Sequence, residues 1–472
     1  MEKHEKKLFL KNVSYSFIAN VISTLLGILA VLIFPKFIGV KPYAYYQLYV
    51  FYGSYVVISA LGLADGVYLE IGGKKYNSLN KPEQTNLFWF MSFVQTALYV
   101  LILVFAVSFT SNPDKKMVYI LVCVLAIAIN PRYYLQLVLQ ATNRIKESSI
   151  VIITERLIAI LITAIALLLG CKSYLFLIIL DVVGRFISCF ISMVYCKDIV
   201  FNKPKISKET IKQAKKFISS GFMLLFAGQA SALVLFSVRS GIEYHWNIET
   251  FGKISLTIAL STMVLRCINA AAVVMFPALR NTDPKKVNSY YLKINTLLMV
   301  VIFAALIFYN PAAILLSVWL PKYADAIRYA AILLPMCVYS CKNAILVTTY
   351  IKTIRKERIL FWTNLIAIAA SCVCTLVFVF ILNSLELTVL SIFLVTALRC
   401  NIAELWLNKT LKISILKDMI LEFLMCAIFI ICNWFFGWAG TVVYTFCFII
   451  YAALLKRKDI TQTIGLVIKK KN

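Results

Sequence analysis

The stretch IVIITERLIAILITAIALLLG, residues 150–170, decides the fold class. A run of about 20 apolar residues, rising 1.5 Å each as a helix, crosses the hydrocarbon core of a bilayer. This run is long enough, yet it carries Glu155 and Arg156 roughly two turns in. A charge at the centre of a membrane helix costs at least ~2.5–3.5 kcal/mol on insertion scales, so such residues pair, snorkel to an interface, or line a polar cavity.

Outward from this run the pattern repeats. Apolar stretches of spanning length fall at 13–35, 42–64, 86–110, 117–139, 150–170, 174–196, 217–239, 250–278, 291–315, 327–350, 359–382, 386–407, 416–436 and 438–455. The chain is 61% hydrophobic and 15% charged, against about 25% charged in soluble domains. The expectation is an all-α polytopic membrane protein of about 14 transmembrane helices. The net charge of +27 would suggest nucleic acid in a soluble protein. Here it reads as the excess of Lys and Arg that membrane proteins carry on cytoplasmic loops. With the N-terminus inside, 33 of the 48 basic residues fall in inner segments and eight in outer ones, an asymmetry that fixes the span count and puts both termini in the cytoplasm. The first run, Val13 to Pro35, is too long for a signal-peptide core and reads as a retained span. All seven tryptophans fall near span ends, where indole anchors helices at the interface.

The longest hydrophilic segment, Lys197 to Lys216, bisects the chain. It implies an N-terminal lobe of spans 1–6 (1–196), a basic cytoplasmic linker (197–216), a C-terminal lobe of spans 7–12 (217–407) related by a pseudo-two-fold, and an extra helix pair with a basic tail (408–472).

Composition also excludes chemistries. Two histidines, His4 and His245, cannot build an intramembrane metal or triad site, so neither a metal nor a catalytic residue is expected. The spacings Cys337-x3-Cys341 and Cys372-x-Cys374 match no common zinc or redox pattern. Gly72-Gly73-Lys74-Lys75 lacks the spacing of a nucleotide-binding loop. No cofactor is expected, and the chain reads as no enzyme.

What remains is a set of cations inside apolar runs: Arg132, Arg156, Arg185, Arg266, Lys342 and Arg399. Few acids lie at comparable depth: Glu155, Asp181 and Glu404. Asp181 and Arg185 are spaced i,i+4 and can pair on one helix face. Arg156 is placed to snorkel. Arg266 stands about 14 residues from the inner loop, roughly 20 Å at 1.5 Å per residue, and is the leading candidate to line a cavity. Arg132, Lys342 and Arg399 rank second, and Arg185 joins them as a cavity cation. Arg132 follows Pro131, and Lys342 follows Pro335 by two turns, so broken helices are expected beside charges. Glu155 and Asp181 are the candidates for ion coupling, and Glu404 and Glu422, nearer the inner interface, carry less information.

Several stretches resemble the polysaccharide-exporter branch of the multidrug/oligosaccharidyl-lipid/polysaccharide superfamily, which contains the O-antigen and capsule flippases. They are Leu61-Gly62-Leu63-Ala64-Asp65-Gly66; Leu139-Gln140-Ala141-Thr142-Asn143-Arg144 leading to Thr154-Glu155-Arg156; Phe251-Gly252-Lys253 through Val274-Met275-Phe276-Pro277-Ala278-Leu279; and Tyr329 through Pro335 to Tyr350-Ile351-Lys352. The resemblance implies two lobes around a cationic cavity in a bacterial cytoplasmic membrane. It implies movement of an undecaprenyl-pyrophosphate-linked oligosaccharide from the inner to the outer leaflet by alternating access, for O-antigen, capsule or exopolysaccharide synthesis. The partners it implies are that lipid-linked oligosaccharide, membrane lipids, a polysaccharide polymerase and a chain-length regulator, with no nucleic acid. In the related lipid II flippases, arginines of the first spans matter. Span 1 here has no charge, which argues against that sister function. The alternatives are an ion-coupled multidrug or metabolite antiporter of the same superfamily, for which a basic interior is unsuited, and a membrane enzyme of polysaccharide assembly, for which a large outer loop or an intramembrane histidine is missing.

Overall fold

The structure is a computed structural model that describes the backbone of residues 2–280, 287–354, 356–411 and 415–456, and the side chains of 14–263, 265, 291–354, 356, 358–410, 415–453 and 456. No strand occurs among the described residues. The chain divides into two compact units, Met1–Gln229 and Ala230–Asn472.

The first unit holds α1 (Glu2–Phe37), α2 (Val40–Gly53), α3 (Leu63–Ile71), α4 (Lys81–Phe109), α5 (Pro113–Ala141), α6 (Ile145–Leu168), α7 (Tyr174–Tyr195), α8 (Lys197–Val200) and the start of α9 (Lys208–His245). The second continues through the rest of α9, α10 (Ile248–Arg280), α11 (Val287–Leu306), α12 (Tyr309–Trp319), α13 (Ala324–Ile327), α14 (Ala330–Lys342), α15 (Thr348–Thr353), α16 (Glu357–Thr375), α17 (Leu385–Leu411), α18 (Leu416–Phe435) and α19 (Gly437–Ile450).

The chain is an all-α polytopic membrane protein, and each of the fourteen apolar stretches falls on a helix or a bent helix pair. Among the described residues ten helices are long and apolar enough to cross a membrane, or twelve if each of two bent pairs is one span; Gly437–Ala453 is a shorter apolar helix. Leu101 and Phe105 on α4, and Val442 and Phe446 on α19, are more than 60% exposed, as side chains facing lipid would be.

Local sequence sets where the helices begin. At the start of α4, Asn80 accepts from the backbone N–H of Glu83, with Pro82 in the first turn; at the start of α5, Asn112 accepts from that of Lys115, with Pro113 leading. A capping side chain satisfies one of the orphan donors of the first turn, and proline there removes a donor that has no partner anyway.

The breaks do not fall beside Pro131 or Pro335. α5 continues through Pro131 and α14 through Pro335. The two bends lie elsewhere, 56° between Val40–Ala60 and Leu63–Ile71 and 44° between Tyr291–Leu306 and Tyr309–Trp319. The first has a local cause: Leu61 and Gly62 both take positive φ, 51° and 84°, a conformation that ends a helix. The prolines sit instead in well-enclosed spans, where neighbouring helices and side chains can satisfy the freed carbonyls. Within the hydropathic window of α5, 67% of residues are buried, and within that of Ala330–Thr353, 72%.

In the first unit, α5 packs against α2, α3, α4 and α7, while α1 lies on α6. α3 and the start of α9 approach backbone to backbone. A methyl group at Gly66 would collide with the backbone of Phe217, and one at Gly221 with that of Gly62 and Gly66. In the second unit, α14 packs against α10, α17 and α18, and α18 pairs with α19.

Candidate functional site

Each unit buries a charge cluster on a well-enclosed helix. In the first, Arg132 of α5 donates from Nη1 to Glu155 Oε2 of α6 at 2.8 Å and to Gln136 Oε1 at 2.8 Å. The other Glu155 oxygen accepts from Arg185 Nη1 of α7 at 2.5 Å. Arg185 Nε reaches Asp181 Oδ2 at 2.8 Å, one turn earlier on the same helix, and Tyr49 Oη of α2 donates to that oxygen at 2.7 Å. The cluster is a chain of two guanidiniums and two carboxylates, formally neutral, that ties α2, α5, α6 and α7 together. Arg156 points away and is exposed. Arg132 Nε has no hydrogen-bond partner among the described residues.

A third buried acid of this unit, outside the cluster, escaped the sequence reasoning except as part of a motif. Asp65 of α3 accepts from Tyr133 Oη at 3.0 Å, while its Oδ2 has no partner among the described residues. Nothing in the spacing of Asp65 marks it, because its partner is 68 residues away on another helix.

In the second unit, Lys342 ends α14 with its Nζ 2.6 Å from Glu404 Oε2 of α17 and 2.5 Å from Glu422 Oε2 of α18. Tyr291 Oη of α11 donates to Glu404 Oε1 at 2.8 Å, and Asn295 Nδ2 donates to Glu422 Oε1 at 2.9 Å. The three charged side chains are at most 1% exposed. A single π-helical turn, Asn343–Val347, follows directly, a feature that often marks functional sites. The expected cavity cation at 342 is therefore enclosed by two acids that sequence spacing could not connect to it.

Arg399 of α17 is different. It is only partly buried, donates from Nη1 to Ser231 Oγ of α9, and forms no ion pair among the described residues. Small hydroxyls continue along the facing helices, with Ser237 Oγ 2.5 Å from Ser371 Oγ, and Ser371 donating to Val234 O. Of the four expected cavity cations whose side chains are described, Arg132 and Arg185 thus belong to one network, Lys342 to another, and Arg399 meets no carboxylate among the described residues. The side chain of Arg266, on α10, lies outside the described residues. No cluster of three or more His, Cys, Asp or Glu able to hold a metal occurs among the described residues.

Helices of spanning length with buried ion clusters within them, and no folded extramembrane domain among the described residues, define a polytopic membrane protein. Over residues 9–283, more than half of its length, the chain matches the family described as polysaccharide biosynthesis protein, and it belongs to that family. No curated protein matches it. Among solved structures it is similar to the lipid II flippase MurJ in an inward closed conformation, at 15% identity and TM-score 0.62, over 94% of this chain and 99% of that one. It is also similar to a multidrug resistance MATE family transporter of the MOP superfamily. The inward-facing form gives 13% identity and TM-score 0.54 over 83% and 98% of the chains, and the outward-facing form 14% and 0.55 over 86% and 96%. At these identities the likeness is one of fold.

Proposed function

We propose that this chain is a flippase for an undecaprenyl-pyrophosphate-linked oligosaccharide, carrying it from the inner to the outer leaflet of a bacterial cytoplasmic membrane by alternating access. Membership of a polysaccharide-biosynthesis family on a chain with a flippase-like fold carries this reading. Both termini lie in the cytoplasm, lobes 1–196 and 217–407 are joined by the basic linker 197–216, and 408–472 adds the last helix pair. The product feeds O-antigen, capsule or exopolysaccharide synthesis, with a polymerase and a chain-length regulator downstream.

A pyrophosphate leaving water needs compensating cations, and arginine offers it paired charge-assisted donors. Arg399, whose charge no carboxylate matches among the described residues, and Arg266 contact the headgroup in this reading. Arg132, Arg185 and Lys342 act through the clusters that hold them. The polyprenyl tail stays in the bilayer while the sugars pass, and the chain carries no catalytic step. An inside-negative potential favours outward anion movement by ~2.3 kcal/mol per charge per 100 mV.

The test is deletion followed by analysis of lipid-linked glycans. Accumulation of completed repeat units on the inner leaflet supports the flippase. Unchanged surface polysaccharide with altered efflux of organic cations would replace it with a multidrug antiporter.

A further inference from the structure

From the caged ammonium of the second unit we infer that Lys342, Glu404 and Glu422 form a proton-binding site, in which the two carboxyl groups share one dissociable proton that is exchanged as the carrier cycles. That it drives transport rests on the function proposed above; that the proton is bound does not.

The argument begins with charge. One ammonium balances one carboxylate, yet two carboxyl groups meet Lys342 Nζ at 2.6 and 2.5 Å, all at most 1% exposed. An uncompensated buried charge is among the costliest arrangements a protein can hold, and the group that cannot be paired takes a proton instead. Among the described residues no other charge is available to do the balancing; the side chain of Arg266, on α10, lies outside them. The remaining ionisable groups around the triad are Tyr291 on α11, Tyr339 on α14, Cys400 on α17, Cys426 on α18 and Tyr451 beyond α19. Phenols and thiols are neutral at neutral pH. Asp418, which shares Tyr451 with Glu422 as a neighbour, is paired at 2.8 Å with Lys456. Arg399, adjacent in sequence to Cys400, is turned to Ser231. The ion-pair cluster of the first unit differs on this point, since its two guanidiniums match its two carboxylates without a proton.

The geometry also selects the ion. A metal cation bridging Glu404 and Glu422 would need the place between their Oε2 atoms, and Lys342 Nζ already occupies it. The site is prepared for the deprotonated state as well. Tyr339, one turn before Lys342 and within electrostatic reach of both acids, has a buried hydroxyl without a partner among the described residues, a donor held in reserve. Loss of the proton breaks one carboxylic O–H bond, leaves its electron pair on the carboxylate, and passes the proton to water. The three side chains are at most 1% exposed, so exchange requires α14, α17 and α18 to separate. The π-helical turn at Asn343–Val347 is the element beside Lys342 suited to such a change.

The experiment is infrared difference spectroscopy of the purified full-length protein in lipid as pH is stepped, with no substrate present, for wild type, Glu404→Gln and Glu422→Gln. Each single variant keeps a neutral Lys–carboxylate pair and so keeps its fold. The expected result is a carboxylic acid C=O band that titrates in wild type and is lost in both variants. An unchanged band in either variant overturns the shared proton. In proteoliposomes, a transmembrane pH gradient should change wild-type flipping of lipid-linked oligosaccharide at least threefold and leave Glu422→Gln unaffected. Wild-type flipping insensitive to the gradient overturns the coupling. Absence of flipping at any pH, with the infrared band intact, removes the proposed substrate and leaves the proton site standing.

Discussion

Lys342 and Glu422 are joined across α14 and α18 at 2.5 Å, Nζ to Oε2, eighty residues apart in sequence and both out of reach of solvent. Removing one partner of such a pair leaves a buried charge uncompensated, which costs about 3–5 kcal/mol. Lys342→Met should therefore destabilise the protein by about that amount in mixed-micelle unfolding, more than Glu422→Gln does. The triple variant Lys342→Met, Glu404→Leu, Glu422→Met should recover most of the loss, because an apolar core of similar volume replaces the whole cluster. Lys342→Met as stable as wild type would mean that the ion triad holds nothing together.

The first unit makes the parallel case with a chain of charges. Glu155 accepts from both Arg132 and Arg185, so its two arms are coupled through one carboxylate. A double-mutant cycle of Glu155→Gln with Arg132→Met should give an interaction energy of about 1–3 kcal/mol, as expected of residues in one buried network. Additive effects would sink the shared network. A cycle between Glu155 and Lys342, which share no partner, serves as the additive control.

The spans were legible because hydropathy over twenty residues is a composition property, and the fourteen apolar stretches fall on helices or bent pairs one for one. The Asp181–Arg185 contact was legible too, since i,i+4 spacing on a helix brings side chains together without help from the rest of the fold. What spacing could not carry was contact between helices. Glu155 meets Arg132 and Arg185, and Glu404 and Glu422 meet Lys342, only because separate helices pack. Hence, among the described side chains, a set of cations that suggested surplus positive charge resolves into one neutral cluster, one with an extra carboxylate, the exposed Arg156, and Arg399. The bends were misplaced for a related reason. Proline removes one hydrogen bond, which an enclosed helix tolerates, whereas Leu61 and Gly62 leave helical geometry altogether.

Backbone contact between α3 and α9 gives a test of packing alone. Gly66→Val and Gly221→Val each force a side chain into backbone atoms, not into the movable end of a side chain. Overpacking costs typically ~1–3 kcal/mol, and more where the obstacle is main chain. Both variants should lose monodisperse protein on size exclusion, while Gly228→Ala, whose added methyl meets nothing within 4 Å, should match wild type. Normal yield of the Gly66 and Gly221 variants would mean that the two helices are free to part.

Arg399 separates function from stability. Its donation to Ser231 is its one polar contact among the described residues, and no acid depends on it for charge balance. Arg399→Ala should leave unfolding within about 1 kcal/mol of wild type, since a hydrogen bond contributes about that much and no buried carboxylate is orphaned. Export of lipid-linked oligosaccharide should nonetheless fall more than tenfold, the loss of a single charge-assisted contact to a phosphate being worth ~1.5–3 kcal/mol. Arg399→Lys should restore part of the rate by keeping the charge but not the planar fork of donors. Ser231→Ala removes only the acceptor that holds the guanidinium, so it should raise the half-saturating substrate concentration more than it lowers the maximal rate. If Arg399→Ala exports normally at equal membrane abundance, Arg399 does not touch the pyrophosphate, and the unmatched charge serves another purpose.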